Sequence, residues 1–320
     1  MVANSFQPPC WLKNSHAQTL WAGLVRRRPT ITIHYERVTL PDGDFVDLAF
    51  APDNGGPVVL LLHGLQGSIQ SRYACGMLNS LHRAAYHPVL LHFRGCSGAV
   101  NKQTRLYHAG ETGDPAYIIS WLQNRYPGRA IAAVGFSLGG NVLLKLLGEQ
   151  REQTALKAAA AISVPMRLDI CANRIDQGFS KLYQWNLVRS KLKIAMQKNA
   201  RGQLNGVDIV KTYQARSFWE FDDAFTAPLH GFKDVHEYYA QCSSRQFLKD
   251  IRVPTLIIHA QDDPFTSAAV IPTKEEVSEF VELNVSKHGG HVGFTNGKWP
   301  WAMKYWAEER VGLFLEQHLS

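Results

Sequence analysis

The alternation of apolar and helical stretches predicts an α/β chain with a mostly parallel central sheet, helices on both faces and a helical cap insertion. Three observations carry this. Apolar runs at residues 58–62, 89–93, 130–136, 158–164, 254–259 and 279–285 recur between helical stretches, as expected where crossover helices cover both faces of a parallel sheet. Gly135-Phe136-Ser137-Leu138-Gly139 joins an apolar run directly to a helical pattern. Finally, the interval from Val164 to Val253 far exceeds the dozen or so residues that a crossover needs, so something is inserted there.

Taken in order, Thr32–Leu40 and Phe45–Phe50 flank Pro41-Asp42-Gly43-Asp44 and read as a hairpin. Val58–Leu62 is a buried strand leading into the loop His63-Gly64-Leu65-Gln66-Gly67-Ser68. The run 89–93 leads into Phe93-Arg94-Gly95-Cys96-Ser97-Gly98, a tight turn at the same sheet edge, where Arg94 is expected to pin neighbouring loops through carboxylates such as Glu111 or Asp114. A helix is predicted from Asp114 as N-cap, with Pro115 first inside it and Ile118, Ile119 and Leu122 turned to the core. Ala130–Val134 is a strand and Asn141–Leu147 a helix on the sheet. Residues from about Met166 to Ala227 form the predicted insertion, with Phe179, Tyr183, Trp185, Tyr213, Phe218, Trp219 and Phe221. Such a cap would roof the site and exclude water, while part of its aromatics pack its own core. Strands follow at Val253–His259 and Glu279–Val285, and a last helix at Trp301–Leu319 points Trp306, Val311, Phe314 and Leu315 inward. One domain over residues 1–320 with this insertion fits the length, as do two small domains.

A serine on a strand-to-helix turn between glycines is a nucleophile elbow, in which a strained turn holds the hydroxyl exposed. Side chains two residues either side of Ser137 would strike the neighbouring strand and helix. A nucleophilic serine needs a base, an acid behind the base and donors for the oxyanion. The acid should follow the strand at 253–259, where Asp262 and Asp263 stand. Asp263 is preferred, because Phe265 supplies the apolar residue two places on; Asp262 is expected to bond its own turn. The base is expected in Lys287-His288-Gly289-Gly290-His291. His291 is chosen because the two glycines free the backbone to carry its ring to Ser137, leaving His288 as a loop residue. The N–H groups of Leu138, which opens a helix, and of Leu65, with Gln66 next, are the expected oxyanion donors. His63 is expected to prop its loop. No metal or cofactor is called for: two histidines three apart lack further ligands. Cys96 lies beside glycines but lacks the elbow.

Further segments extend the pattern: Asn14-Ser15-His16-Ala17-Gln18-Thr19, Leu65-Gln66-Gly67-Ser68, Arg94-Gly95-Cys96-Ser97-Gly98, Tyr107-His108-Ala109-Gly110 with Thr112 and Asp114, Phe221-Asp222 with Thr226 and Gly231-Phe232, and Gly289-Gly290-His291. With them the chain resembles the α/β-hydrolase superfamily, and within it the thinly characterised YheT-like esterase branch, related to eukaryotic α/β-hydrolase-domain lipases. The resemblance runs from about residue 14 to 294. It implies the α/β-hydrolase fold and a carboxylic-ester hydrolase.

Composition sets the remaining bounds. With 320 residues and 45% hydrophobic content the chain can bury a large core. Met1–Cys10 has no signal pattern and no apolar run is long enough to span a bilayer, so a cytoplasmic protein is expected. Five scattered cysteines suit reduced thiols. The net charge of +7 is concentrated in Arg174, Lys181, Arg189, Lys191, Lys193, Lys198, Arg201, Lys211 and Arg216, against Asp176 and Asp208. The plain expectation is a solvated helical face; contact with an anionic membrane surface or steering of an anionic ester is the sharper one. No motif points to nucleic acid. The expected partner is a small-molecule or lipid ester, and the oligomeric state is not legible.

Overall fold

The computed structural model describes residues 5–204 and 206–319; Met1–Asn4 of the opening segment lie outside the described residues. Eight strands form one sheet: β1 (His34–Thr39), β2 (Phe45–Phe50), β3 (Val58–Leu62), β4 (His87–His92), β5 (Ile131–Phe136), β6 (Ala158–Ile162), β7 (Thr255–Ala260) and β8 (Val281–Ser286). Their order is β1-β2-β4-β3-β5-β6-β7-β8. Within this sheet the hairpin pairing β1–β2 and the pairing β2–β4 are antiparallel, and the other pairings are parallel. The central strands β3, β4 and β5 are buried along their whole lengths, which is why they read as unbroken apolar runs.

Helices cover both faces. One core layer gathers Ile118 and Leu122 of α3 (Gly113–Arg125) with Val142, Leu143 and Leu147 of α4 (Leu138–Gln150). The other gathers Met77 and Leu81 of α2 (Arg72–Arg83) with Trp306, Val311, Phe314 and Leu315 of α11 (Trp306–Leu319). Both α4 and α11 press on β6, and four consecutive alanines there, Ala158–Ala161, let the two helices approach. A short helix, α1 (Ser15–Leu20), precedes the sheet; its N-cap Asn14 accepts from the Ala17 N–H at 3.0 Å. Between β6 and β7 run α5 (Leu168–Ile175), α6 (Ser180–Ala200), α7 (Ile209–Gln214), α8 (Phe218–Phe221), α9 (Ala227–Leu229) and α10 (Val235–Cys242), so helix continues past Ala227.

Three local expectations are corrected. α3 begins at Gly113, and Asp114 is not its N-cap: Glu111 Oε1 receives the Gly113 and Asp114 N–H groups. Asp114 instead takes two of the three nitrogens of a guanidinium, because the buried Arg94 must be matched by carboxylates. Arg94 Nε and Nη2 reach Asp114 at 2.6 and 2.7 Å, and Nη1 reaches Asp42 at 2.7 Å and Asp44 at 2.9 Å. Glu111, the other expected partner, pairs with Arg105. The last helix begins at Trp306, and Trp301 is 80% exposed outside it. The basic run is not wholly solvated either. Lys198 is buried and donates to the Asn101 and Gln103 carbonyls, and Lys191 pairs with Asp222 at 2.5 Å.

Candidate active site

Ser137 lies at the junction of β5 and α4 with φ 50° and ψ −118°, a region that costs a non-glycine residue about 1–3 kcal/mol. Its surroundings enforce it. A Cβ on Gly135 would fall 2.6 Å from Gly139 O and one on Gly139 2.5 Å from His63 O, so the flanking glycines are a requirement of close approach between strand, helix and the early loop. Asn141, one turn into α4 and fully buried, fastens the helix to its surroundings. Its amide donates to Ala109 O and Cys242 O, and its oxygen accepts from the Ser244 N–H.

The loop after β7 brings Asp263 and the loop after β8 brings His291. His291 Nε2 stands 3.0 Å from Ser137 Oγ, and its Nδ1 2.8 Å from Asp263 Oδ2. Asp263 Oδ1 accepts the Phe265 N–H at 2.8 Å, which fixes the carboxylate, and the Phe265 ring stacks on His291 at 4.1 Å between centroids. Burial alone would raise the Asp263 carboxyl, but the His291 charge and hydrogen bond bring it below the ordinary value. Asp262 was expected to bond its own turn, and the structure corrects this. It spans to the histidine loop, accepting the Gly290 N–H at 3.0 Å and meeting His288 Nδ1 at 3.2 Å.

The early loop lies opposite. His63, fully buried, bonds Gly64 O through Nδ1 at 2.7 Å, and its Nε2 accepts the Phe93 N–H at 3.2 Å. Burial lowers its pKa to about 3, in keeping with a neutral ring that holds the loop. The Gly64 N–H is taken by Tyr73 Oη at 2.8 Å and the Gln66 N–H by Tyr107 Oη at 2.9 Å, which removes Gln66 as a donor to a reacting group. Leu65 lies between them. The Leu138 N–H, at the first position of α4, has no intrahelical acceptor.

Ser137, His291, Leu65 and Leu138 open on a cavity of about 290 Å³. Its wall is chiefly apolar, with Leu168, Ile175, Leu187, Phe218 and Phe265 among its residues. Thr19, Ala22 and Gly23 from the N-terminal segment complete one side. The insertion thus supplies α5, α6 and α8 side chains. Its aromatics divide: Phe218 lines the cavity, Tyr183 lies against Phe265 at 4.9 Å, Phe221 is buried, and Phe179, Trp185 and Tyr213 are exposed.

Reasoning from residue types missed the supports of the histidine loop. The His291 N–H donates to Thr19 Oγ1, Val292 N–H to Ser163 Oγ and Thr295 N–H to Gln18 Oε1. The only available signal was the segment Asn14–Thr19, which the family resemblance picked out without giving it a task.

Residues 57–298 match the family described as alpha/beta hydrolase fold. The chain is 39% identical to "Putative esterase YheT" of Escherichia coli, over 98% of this chain and 94% of that protein. It is 28% identical to human "Phospholipase ABHD3", over 94% of this chain and 76% of the relative. Among solved structures, the Pyrococcus furiosus esterase Pf2001 superposes with a TM-score of 0.59 at 18% identity, covering 91% of this chain and 92% of the other. The chain belongs to the α/β-hydrolase family and is a hydrolase of esterase/lipase type.

Proposed function

From that membership we propose a serine hydrolase that cleaves carboxylic esters through an acyl-enzyme. The observation that carries this reading is the continuous path from Asp263 through His291 to Ser137, ending in an apolar cavity. His291 Nε2 takes the Ser137 proton as Oγ attacks the acyl carbon, and Asp263 holds the ring in the tautomer with its proton on Nδ1. The tetrahedral oxyanion is received by the N–H groups of Leu65 and Leu138, the latter at the positive end of a thirteen-residue helix. His291 then protonates the leaving alcohol, and water releases the acid by the same steps in reverse. Helices α5–α8 act as a cap, excluding water and contacting the acyl group.

Labelling by a fluorophosphonate probe tests the reading: Ser137 is expected to be modified in the wild type and unlabelled after His291→Ala. Well-folded protein that resists the probe would be a binding protein on this fold. Thioester and phospholipid cleavage by the same three residues are the neighbouring readings. A panel of p-nitrophenyl esters from C2 to C16 beside acyl thioesters and phospholipids separates them, and activity is expected to survive dialysis against a chelator.

A membrane surface is the proposed site of encounter for lipid esters. Among the described residues no helix is long and apolar enough to cross a bilayer. The outer face of α6, however, carries Leu182, Trp185, Arg189, Lys193 and Met196 in the open, while its inner side gives Leu187 and Lys191 to the cavity. An exposed tryptophan among basic residues suits an anionic headgroup layer. Sedimentation with phosphatidylglycerol vesicles is expected, with weaker binding after Arg189→Glu/Lys193→Glu; equal binding to neutral vesicles by both proteins would overturn it.

A further inference from the structure

We infer that Thr19 is a positioning residue for His291, and that α1 is a working part of the site although it lies 272 residues away in sequence. The histidine loop cannot hold its shape unaided. Gly289, Gly290, Val292 and Phe294 all have positive φ, at 153°, 60°, 55° and 38°. The last two are non-glycine residues, and Val292 is β-branched. Each such residue is strained and persists only where its surroundings over-determine it.

α1 supplies much of that determination. The Thr19 hydroxyl donates to Ser15 O at 2.8 Å, which turns its lone pairs outward, and accepts the His291 N–H at 2.9 Å. Gln18, fully buried, clamps Thr295 at both backbone atoms. Its Oε1 accepts the Thr295 N–H at 2.8 Å and its Nε2 donates to Thr295 O at 2.9 Å, with a second bond to Leu12 O at 2.9 Å. The contact is close enough to dictate sequence on the other side. A Cβ on Gly290 would lie 2.5 Å from Ser15 O and 2.7 Å from Thr19 Oγ1, and one on Gly293 would lie 3.0 Å from the Gln18 backbone carbonyl carbon. Gly290 is therefore set by the approach of α1 as much as by its own φ. Thr19 itself lines the cavity, and Ala22 and Gly23 just after α1 line it too, so Thr19 both fixes the base and bounds the substrate.

The expected consequence is kinetic. Thr19→Val keeps the volume and removes the acceptor, leaving the His291 N–H unpaired and the ring free to drift; a displacement near 1 Å costs about 10²-fold in rate. With p-nitrophenyl butyrate, Thr19→Val should lower kcat by about 10- to 100-fold with little change in KM. The fluorophosphonate labelling rate should fall in parallel. Thr19→Ser restores most of the loss, because it keeps the hydroxyl and loses only a methyl. A kcat for Thr19→Val within twofold of wild type, or an equal loss in Thr19→Ser, would overturn the assignment. Should Thr19→Val fail to fold, Thr19→Cys serves instead: its sulfur is a weaker acceptor and should give a smaller loss in the same direction, and none would count against the role. The role presupposes His291 as base, and the two readings fail separately. Activity surviving Ser137→Ala sinks the triad, whereas activity lost in Ser137→Ala but retained in Thr19→Val sinks only the positioning.

Discussion

Two aspartate–histidine pairs bridge the same two loops, side by side. Asp263 meets His291 at 2.8 Å and Asp262 meets His288 at 3.2 Å. The chemistry of the groups is identical; their surroundings differ. The first pair is enclosed, with side-chain exposures of 10% and 0% for His291 and Asp263, while the second has 45% and 23% for His288 and Asp262. In the first pair the far ring nitrogen finds Ser137, and the carboxylate's second oxygen is fixed by the Phe265 N–H. In the second, the carboxylate's other oxygen takes the Gly290 N–H and so braces the backbone beside His291. One pair ends on the Ser137 hydroxyl; the other braces the loop that carries His291. An acid beside a histidine becomes a catalytic dyad only when a nucleophile lies beyond and solvent does not.

The sharpest break in this comparison comes from the proposed triad itself. Ser137→Ala and His291→Ala should each lower kcat on the order of 10⁶-fold, measured with p-nitrophenyl esters. Asp263→Asn should cost on the order of 10⁴-fold, because the amide favours the wrong tautomer. Against this, Asp262→Asn and His288→Gln should each cost roughly tenfold or less, a perturbation of loop position alone. If Asp262→Asn proved the more damaging of the two aspartate variants, the roles of the pairs would be exchanged.

Much of this was legible because strand ends announce themselves. The runs at 58–62 and 130–136 are unbroken apolar stretches since β3 and β5 are buried on both faces, and each is followed at once by residues that line the cavity. Phe265, the apolar residue that favoured Asp263 over Asp262, stacks on the His291 ring. Other features had no local signature. Asp114 was an expected partner of Arg94, but its other two partners, Asp42 and Asp44, come from the hairpin turn, and nothing near Arg94 in sequence points to them. Lys198 reads as one more solvated lysine, yet it is buried against two carbonyls. The bond from Thr19 to His291 joins the two ends of the chain, and neither end carries a periodicity or spacing that predicts it. Patterns in sequence report what an element does for itself; they are silent on what it receives from a distant one.

The pairs should also part company in stability, the smallest of these effects. Burial raises both carboxyls. For Asp263 the His291 charge and hydrogen bond overturn it, so its folded-state pKa lies below the ordinary value. For Asp262 burial prevails over the Gly290 N–H and His288, and its pKa lies above. A depressed carboxyl contributes stability that is present above its unfolded pKa, near 4, and is lost as pH falls through the folded value. A raised one contributes only below its unfolded pKa and loses that as pH rises through the folded value. Asp263→Asn is therefore expected to lower Tm at pH 7 by about 1–4 °C, with the difference shrinking below pH ~4. Asp262→Asn should leave Tm at pH 7 unchanged or slightly higher. Calorimetric scans of both variants and the wild type from pH 7 down to 3.5 check the sign. A larger fall in Tm for Asp262→Asn at neutral pH would mean that the outer pair, and not the inner one, holds its carboxylate charged at a net gain.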